Sequence, residues 1–259
     1  AKEFLARHDL DLPVVLKPDA GQRGEGVRIL RGVEDLLKAL AESDGDMILQ
    51  EYVQGLEFGV FYVRMPEEDR GRIFSVTEKR LPEVVGDGRS TVEELILADG
   101  SLLAMARHYL KVQGSLLEHV PAAGERHRLV ELGTHCRGAV FVDGRLVLTE
   151  ELEAAVDGLS QSFEGFFFGR YDIRTTSVEL LRRGQGFKVL ELNGVTSEAT
   201  HIYDPANSLL SAYSTLFEQW RLAFEIGRQN RLRGSAPTSI GELLRLLRSF
   251  RRAAEPPVP

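Results

Sequence analysis

Cysteine is almost absent from this sequence: Cys136 is the only one in 259 residues. A lone thiol excludes an internal disulfide and a thiolate zinc cluster. Positive charge is not in excess either. Against 39 Asp and Glu stand 32 Lys and Arg, a net charge of −7, which removes the electrostatic ground for nucleic acid as a main partner. No apolar run approaches the roughly 20 residues of a membrane span; the longest aromatic run is Phe166-Phe167-Phe168. No segment reads as a signal peptide, and neither internal repeats nor low-complexity stretches occur. What remains, 43% hydrophobic and 27% charged, is the composition of a soluble globular chain long enough to bury a core.

Pattern along the chain alternates short strands and amphipathic helices. Leu12-Pro13-Val14-Val15-Leu16-Lys17-Pro18 predicts a strand, and Gly21-Gln22-Arg23-Gly24-Glu25-Gly26 a glycine-dense turn. A second strand is expected over 27–30, a helix on Val33, Leu36, Leu37 and Leu40, and a third strand over 47–53. Segments 58–63 and 72–76 read as paired strands. Ser90-Thr91-Val92-Glu93 has the form of a capping box, and a helix is expected over 101–111. After a strand over 137–142, Thr149 reads as the N-cap of a helix on Leu152, Val156, Leu159 and Phe163. Two strands follow, 169–175 and 187–192. Asp204-Pro205 predicts the start of a long helix that buries Leu209, Tyr213, Leu216, Phe217, Trp220 and Phe224. Ser239-Ile240-Gly241-Glu242 opens a last helix ending near Phe250, before a Pro-rich tail.

Two places concentrate chemistry. Lys17 at a strand end is a fixed charge, and Gly21, Gly24 and Gly26 let backbone N–H groups approach an anion. No Gly-Lys-Ser/Thr follows, so the loop is not a P-loop. A strand comes after it in place of a helix, so it is not a dinucleotide fingerprint. It is either a phosphate loop or a plain Gly-rich hairpin. The second place is Arg170-Tyr171-Asp172 with Glu191-Leu192-Asn193. Residues i and i+2 of a strand share a face. If the two strands are neighbours, one face gathers two carboxylates, an amide and a guanidinium. That face is either a solvated salt bridge or an oxygen-rich site for Mg²⁺ with an arginine for a phosphoryl group. His135-Cys136-Arg137 offers no thiol dyad, because neighbours in a strand point to opposite faces. His201-Ile202-Tyr203-Asp204 either lines a pocket or caps a helix.

Taken in order, Lys17 with its glycine loop, Gln50-Glu51-Tyr52-Val53, Glu57, Arg170-x-Asp172 and Glu191-x-Asn193 resemble the ATP-grasp superfamily over about residues 12–205. The nearest flavour is D-alanine–D-alanine ligase. The stretch from Val85 to Ile96 is similar to one in cyanophycin synthetases. The stretch Gly194-Val195-Thr196-Ser197-Glu198-Ala199-Thr200-His201 differs from the proline-containing substrate loop of D-alanine ligases. The resemblance implies an α+β fold of two lobes with the nucleotide cleft between antiparallel sheets, plus C-terminal helices. The small lobe would be residues 12–54, the large lobe with its metal site 55–231, and the final helix and tail 232–259. It implies ATP and Mg²⁺ (or Mn²⁺) as cofactors. Lys17 and Gly21, Gly24 and Gly26 would take phosphates, Glu51 and Val53 adenine, and Glu57 the ribose. Lys79 would stand near the γ-phosphate, Arg170 would act in phosphoryl transfer, and Asp172, Glu191 and Asn193 would hold metal. The reaction implied is cytoplasmic ligation of a small carboxylate to an amine through an acyl phosphate. A kinase and a non-catalytic nucleotide sensor are the alternatives. Because relatives carry a domain ahead of the first strand, a missing N-terminal piece or a homo-oligomer is also expected.

Overall fold

The computed structural model describes residues 2–19, 24–43, 45–131, 133 and 138–254, the last five of these by backbone only. Gly21 and the His135-Cys136-Arg137 motif lie outside the described residues. The class is mixed α and β with antiparallel sheets, as expected.

The first unit is a three-stranded sheet. Strands β1 (Val14–Pro18), β2 (Arg28–Leu30) and β3 (Met47–Glu51) run in the order β2-β1-β3. Helices α1 (Lys2–Arg7) and α2 (Val33–Ala41) cover one side, so that Leu5, Val14, Leu16, Leu30 and Leu36 close a small core. The strand alternation and the i, i+3 spacing on α2 each supply one apolar face, and the two faces meet.

The second unit is built on β4 (Leu56–Val63), β5 (Arg72–Arg80), β8 (Val140–Asp143), β9 (Phe168–Thr175) and β10 (Phe187–Asn193), in the order β10-β9-β4-β5-β8. One face carries Phe58, Val60, Tyr62, Ile73, Val76, Tyr171 and Ile173. It is covered by α5 (Glu150–Gln161) and α6 (Val178–Arg182) through Leu152, Val156 and Leu181. Thr149 caps α5 as expected, accepting from the Leu152 N–H. Between β5 and β8 the chain makes a third small core from β6 (Glu83–Val85), α3 (Val92–Ala98), α4 (Ala106–Gln113) and β7 (Arg126–Arg128). The capping box there is one residue later than expected. Thr91 is the N-cap and Glu94, not Glu93, closes the box.

The C-terminal helices depart most from expectation. Helix α7 (Leu209–Leu232) is capped by Ser208, while Asp204 accepts from the N–H groups of Asp143 and Ala206. Its buried side is Gln219, Leu222 and Ile226. Leu209, Tyr213, Phe217, Trp220 and Phe224, expected inside, are exposed. The reason is both apolar and polar: Leu222 and Ile226 join Phe61, Val63 and Phe168 in one buried cluster, and a glutamine meets the loop beneath. Gln219 accepts from the Ala199 N–H at 2.8 Å and donates to the Ser197 carbonyl at 3.1 Å, so α7 turns the side chain that satisfies the loop after β10 toward the body. Helix α8 (Ile240–Ala254) follows, and Ile240, Leu243, Leu244 and Leu247 on it are exposed. Among the described residues no helix is long and apolar enough to cross a membrane.

Candidate active site

The other face of the five-stranded sheet is charged. Cross-strand register fixes its plan. Along β9 stand Arg170, Asp172 and Arg174. Opposite them on β4 lie Phe61, Gly59 and Glu57, and opposite these on β5 lie Ser75, Thr77 and Lys79. On the far side, β10 sets Asn193 against Arg170 and Glu191 against Asp172. The two motifs singled out in the sequence are thus adjacent strands sharing one face.

The charges form a buried chain of alternating sign. Arg174 donates to Glu57 from Nε (3.0 Å) and Nη2 (2.9 Å). Lys79 Nζ lies 3.0 Å from Glu57 and 3.0 Å from Asp172. Arg170 Nε donates to Asp172 Oδ1 at 2.9 Å, and Arg170 Nη1 to the Glu198 carbonyl at 3.0 Å. Asn193 Nδ2 reaches Asp172 Oδ2 at 3.4 Å. Lys79 and Asp172 expose 5% and 9% of their side chains, which makes this a pair inside low dielectric and not a surface bridge. Burial works against the charge on Lys79, but Asp172 and Glu57 outweigh it and hold its pKa above the ordinary lysine value. Burial likewise works against ionised Asp172, and Lys79 with Arg170 reverses it, leaving the pKa low. Gly59 makes room at the centre. A Cβ there would stand 3.1 Å from Arg170 Cδ and 3.5 Å from Asp172 Oδ1.

The three-stranded sheet meets this face at a β-bulge. The β10 register shifts between Val189 and Glu191, and the Leu190 carbonyl accepts from Lys17 Nζ (3.3 Å) and Gln50 Nε2 (3.2 Å). Glu51 takes Lys188 at 2.7 Å. Gly24 and Gly26 both have positive φ, the backbone that glycine permits in a tight turn. Lys17 and the described part of its glycine turn therefore belong to the sheet that abuts the Arg170–Asp172 face. Glu51 is exposed toward Lys188, Val53 offers its carbonyl to Arg174, and Glu57 is buried.

Among the described residues no three His, Cys, Asp or Glu side chains form a ready metal group. The donors on the charged face are all oxygens, from Asp172, Glu191 and the Asn193 amide. Oxygen donors of this kind suit Mg²⁺, which takes its remaining ligands from water and phosphate, although Asp172 Oδ1 and Oδ2 here already accept from Arg170, Lys79 and Asn193, so that a bound ion would have to displace one of these partners. Sequence reasoning missed Arg174, although its signal was the same alternation that picked out Arg170 and Asp172. Gln219 was missed because it is one polar residue among several on α7, and its partners, the Ala199 N–H and the Ser197 carbonyl, lie about 20 residues earlier.

The lysine beside the glycine turn of one antiparallel sheet thus contacts the sheet that carries the Arg-x-Asp and Glu-x-Asn pairs. No family model matches the chain. Over 146 residues it is 25% identical to the 5-formaminoimidazole-4-carboxamide-1-(beta)-D-ribofuranosyl 5'-monophosphate synthetase of Pyrobaculum calidifontis, a match taking in 56% of this chain and 44% of that protein. The chain thus spans less than half of the curated relative it matches. Among solved structures it is similar to a bifunctional glutathione synthetase from Pasteurella multocida, at 21% identity and TM-score 0.43, covering 85% of this chain and 32% of that one. It is also similar to D-alanine–D-alanine ligase from Bacillus anthracis, at 16% identity and TM-score 0.41, covering 87% and 56%.

Proposed function

We propose that this chain is the nucleotide-binding and catalytic core of an ATP-dependent carboxylate–amine ligase. One observation carries the reading: Arg170, Asp172, Glu191 and Asn193 share a sheet face that the Lys17 sheet abuts at Leu190. In this reading the lobes of residues 12–54 and 55–231 hold ATP between them, and residues 232–259 lie outside the cleft. Lys17, with the loop bearing Gly21, Gly24 and Gly26, grips the phosphates. Asp172, Glu191 and Asn193 hold Mg²⁺, which when bound neutralises charge on the phosphate oxygens. The same reading assigns the protein to the cytoplasm, a reducing compartment that supplies ATP and suits a chain with one cysteine.

The substrate carboxylate attacks the γ-phosphorus, the bond to the β-phosphate breaks, and ADP leaves an acyl phosphate. The amine then attacks the acyl carbon and phosphate departs. Protein side chains do no covalent work in either step; they position the reactants and neutralise charge. Arg170 suits that task because Asp172 and the Glu198 carbonyl hold its guanidinium from two sides. Lys79, fixed between two carboxylates, keeps Asp172 ionised and in place.

The test is phosphate release from ATP and Mg²⁺ across a panel of amino acids and other small acids and amines. Release is expected only when an acid and an amine are both present. Arg170→Met should lower kcat by roughly 10²–10³-fold, the range for losing one transition-state donor. A stable phosphorylated product formed with no amine would instead make the protein a kinase. Absence of ATP binding at millimolar concentration would defeat both readings.

A further inference from the structure

Family resemblance assigns Glu57 to the ribose, yet Glu57 is deeply engaged inside the protein. Its Oε1 accepts from Lys79, and its Oε2 accepts two hydrogen bonds from Arg174. The side chain is 9% exposed. The backbone at Gly133 lies directly on the carboxylate. A Cβ built there would stand 2.6–2.8 Å from Oε1, Cδ and Oε2, so the chain at Gly133 passes close over these oxygens and shields them.

Arg174 reaches further. Nη1 donates to the Val53 carbonyl at 2.8 Å and Nη2 to the Glu131 carbonyl at 3.3 Å, and the guanidinium lies 5.7 Å from the Tyr52 ring centroid. One buried guanidinium therefore joins β4, β9, the connection through Tyr52 and Val53, and the chain at Glu131. Moving Glu57 out to meet a sugar hydroxyl would exchange charge-assisted bonds for a neutral one and leave that guanidinium uncompensated.

We infer that Arg174 makes Glu57 a structural anchor and not a sugar ligand, so that this site binds adenosine triphosphates without reading the ribose hydroxyls through Glu57. Arg174 is a positioning residue: it fixes Glu57 and the Val53 carbonyl, and through Glu57 it fixes Lys79. The inference rests on the ligase reading for the identity of the nucleotide.

The experiment is calorimetric titration of the full chain, with Mg²⁺, by ATP, 2'-deoxy-ATP and 3'-deoxy-ATP, repeated on Glu57→Gln. A hydroxyl donating to a shielded carboxylate is worth roughly ten- to a hundredfold in affinity. The ratio of ATP to deoxynucleotide affinity should be the same within twofold in the two proteins, even if Glu57→Gln weakens all three ligands. A ratio that falls fivefold or more in Glu57→Gln overturns the inference while leaving ATP binding, and so the ligase reading, intact. Should Glu57→Gln not fold, Glu57→Asp takes its place: a ratio within twofold of the wild-type value supports the inference, and one that falls fivefold or more overturns it. Failure of the wild-type chain to bind any of the three defeats the ligase reading and this inference together.

Discussion

Alternate residues of the same strands give the five-stranded sheet two faces of opposite chemistry. Tyr171 and Ile173 point into an apolar core under α5, while Arg170, Asp172 and Arg174 point into a buried chain of charges. The apolar face needs only area and shape, so many side chains of similar volume would serve it. The charged face needs each partner. Its five members, Arg174, Glu57, Lys79, Asp172 and Arg170, come from three strands and satisfy one another in series. Packing tolerates exchange, whereas a buried charge pair breaks when either member goes.

The sharpest way to break the comparison is Asp172→Asn. It leaves Lys79 and Arg170 short of a carboxylate charge, and urea unfolding should show a loss of roughly 3–5 kcal/mol. A loss under about 1 kcal/mol would mean that the charges are effectively solvated. Leu152→Ala, on the fully buried apolar side, should cost about 2–5 kcal/mol by removing contact and leaving a cavity, with no change in the pH dependence of stability.

That pH dependence is the next test. Asp172 has a folded pKa below its ordinary value, so the unfolded chain takes the proton first. Its contribution is fully present above about pH 4 and disappears as pH falls through the lower folded value. Lys79 has a raised folded pKa, so its contribution is fully present below about pH 10 and disappears as pH rises through the higher folded value. Unfolding free energy measured against pH should show both limbs in the parent and a shallower acid limb in Asp172→Asn. The smallest effect belongs to α7. Phe217 and Phe224 are 76% and 78% exposed, so Phe217→Ser and Phe224→Ser should each change stability by under about 0.5 kcal/mol. A thermal shift of several degrees would show that this stripe is covered in solution.

Much of the site was legible from spacing alone. Arg170 and Asp172 two apart, and Glu191 and Asn193 two apart, had to share faces once their segments were strands. Thr149 had to cap, because a hydroxyl three residues before an apolar period meets an orphan N–H. Glu57 was legible as a carboxylate but not as a buried one, because its partners lie 22 and 117 residues away. The Thr91 box was missed by one residue, since Ser90 and Thr91 compete for the same role with Glu93 and Glu94 following. Helix α7 was read on its aromatic stripe, but the opposite side, where Leu222 and Ile226 meet Phe61, Val63 and Phe168 and Gln219 answers two loop groups, turned inward.

By itself the sequence determined which strand residues share a face and where α5 and α8 begin, because strand alternation and capping are local. It also determined that oxygens, a guanidinium and a lysine would be the chemistry on offer. Only the tertiary structure decided which charges neutralise which, which side of α7 turns inward, and that Glu57 lies beneath Gly133. Those outcomes depend on cross-strand register and on satisfying buried polar groups, and both are set by partners distant in the chain.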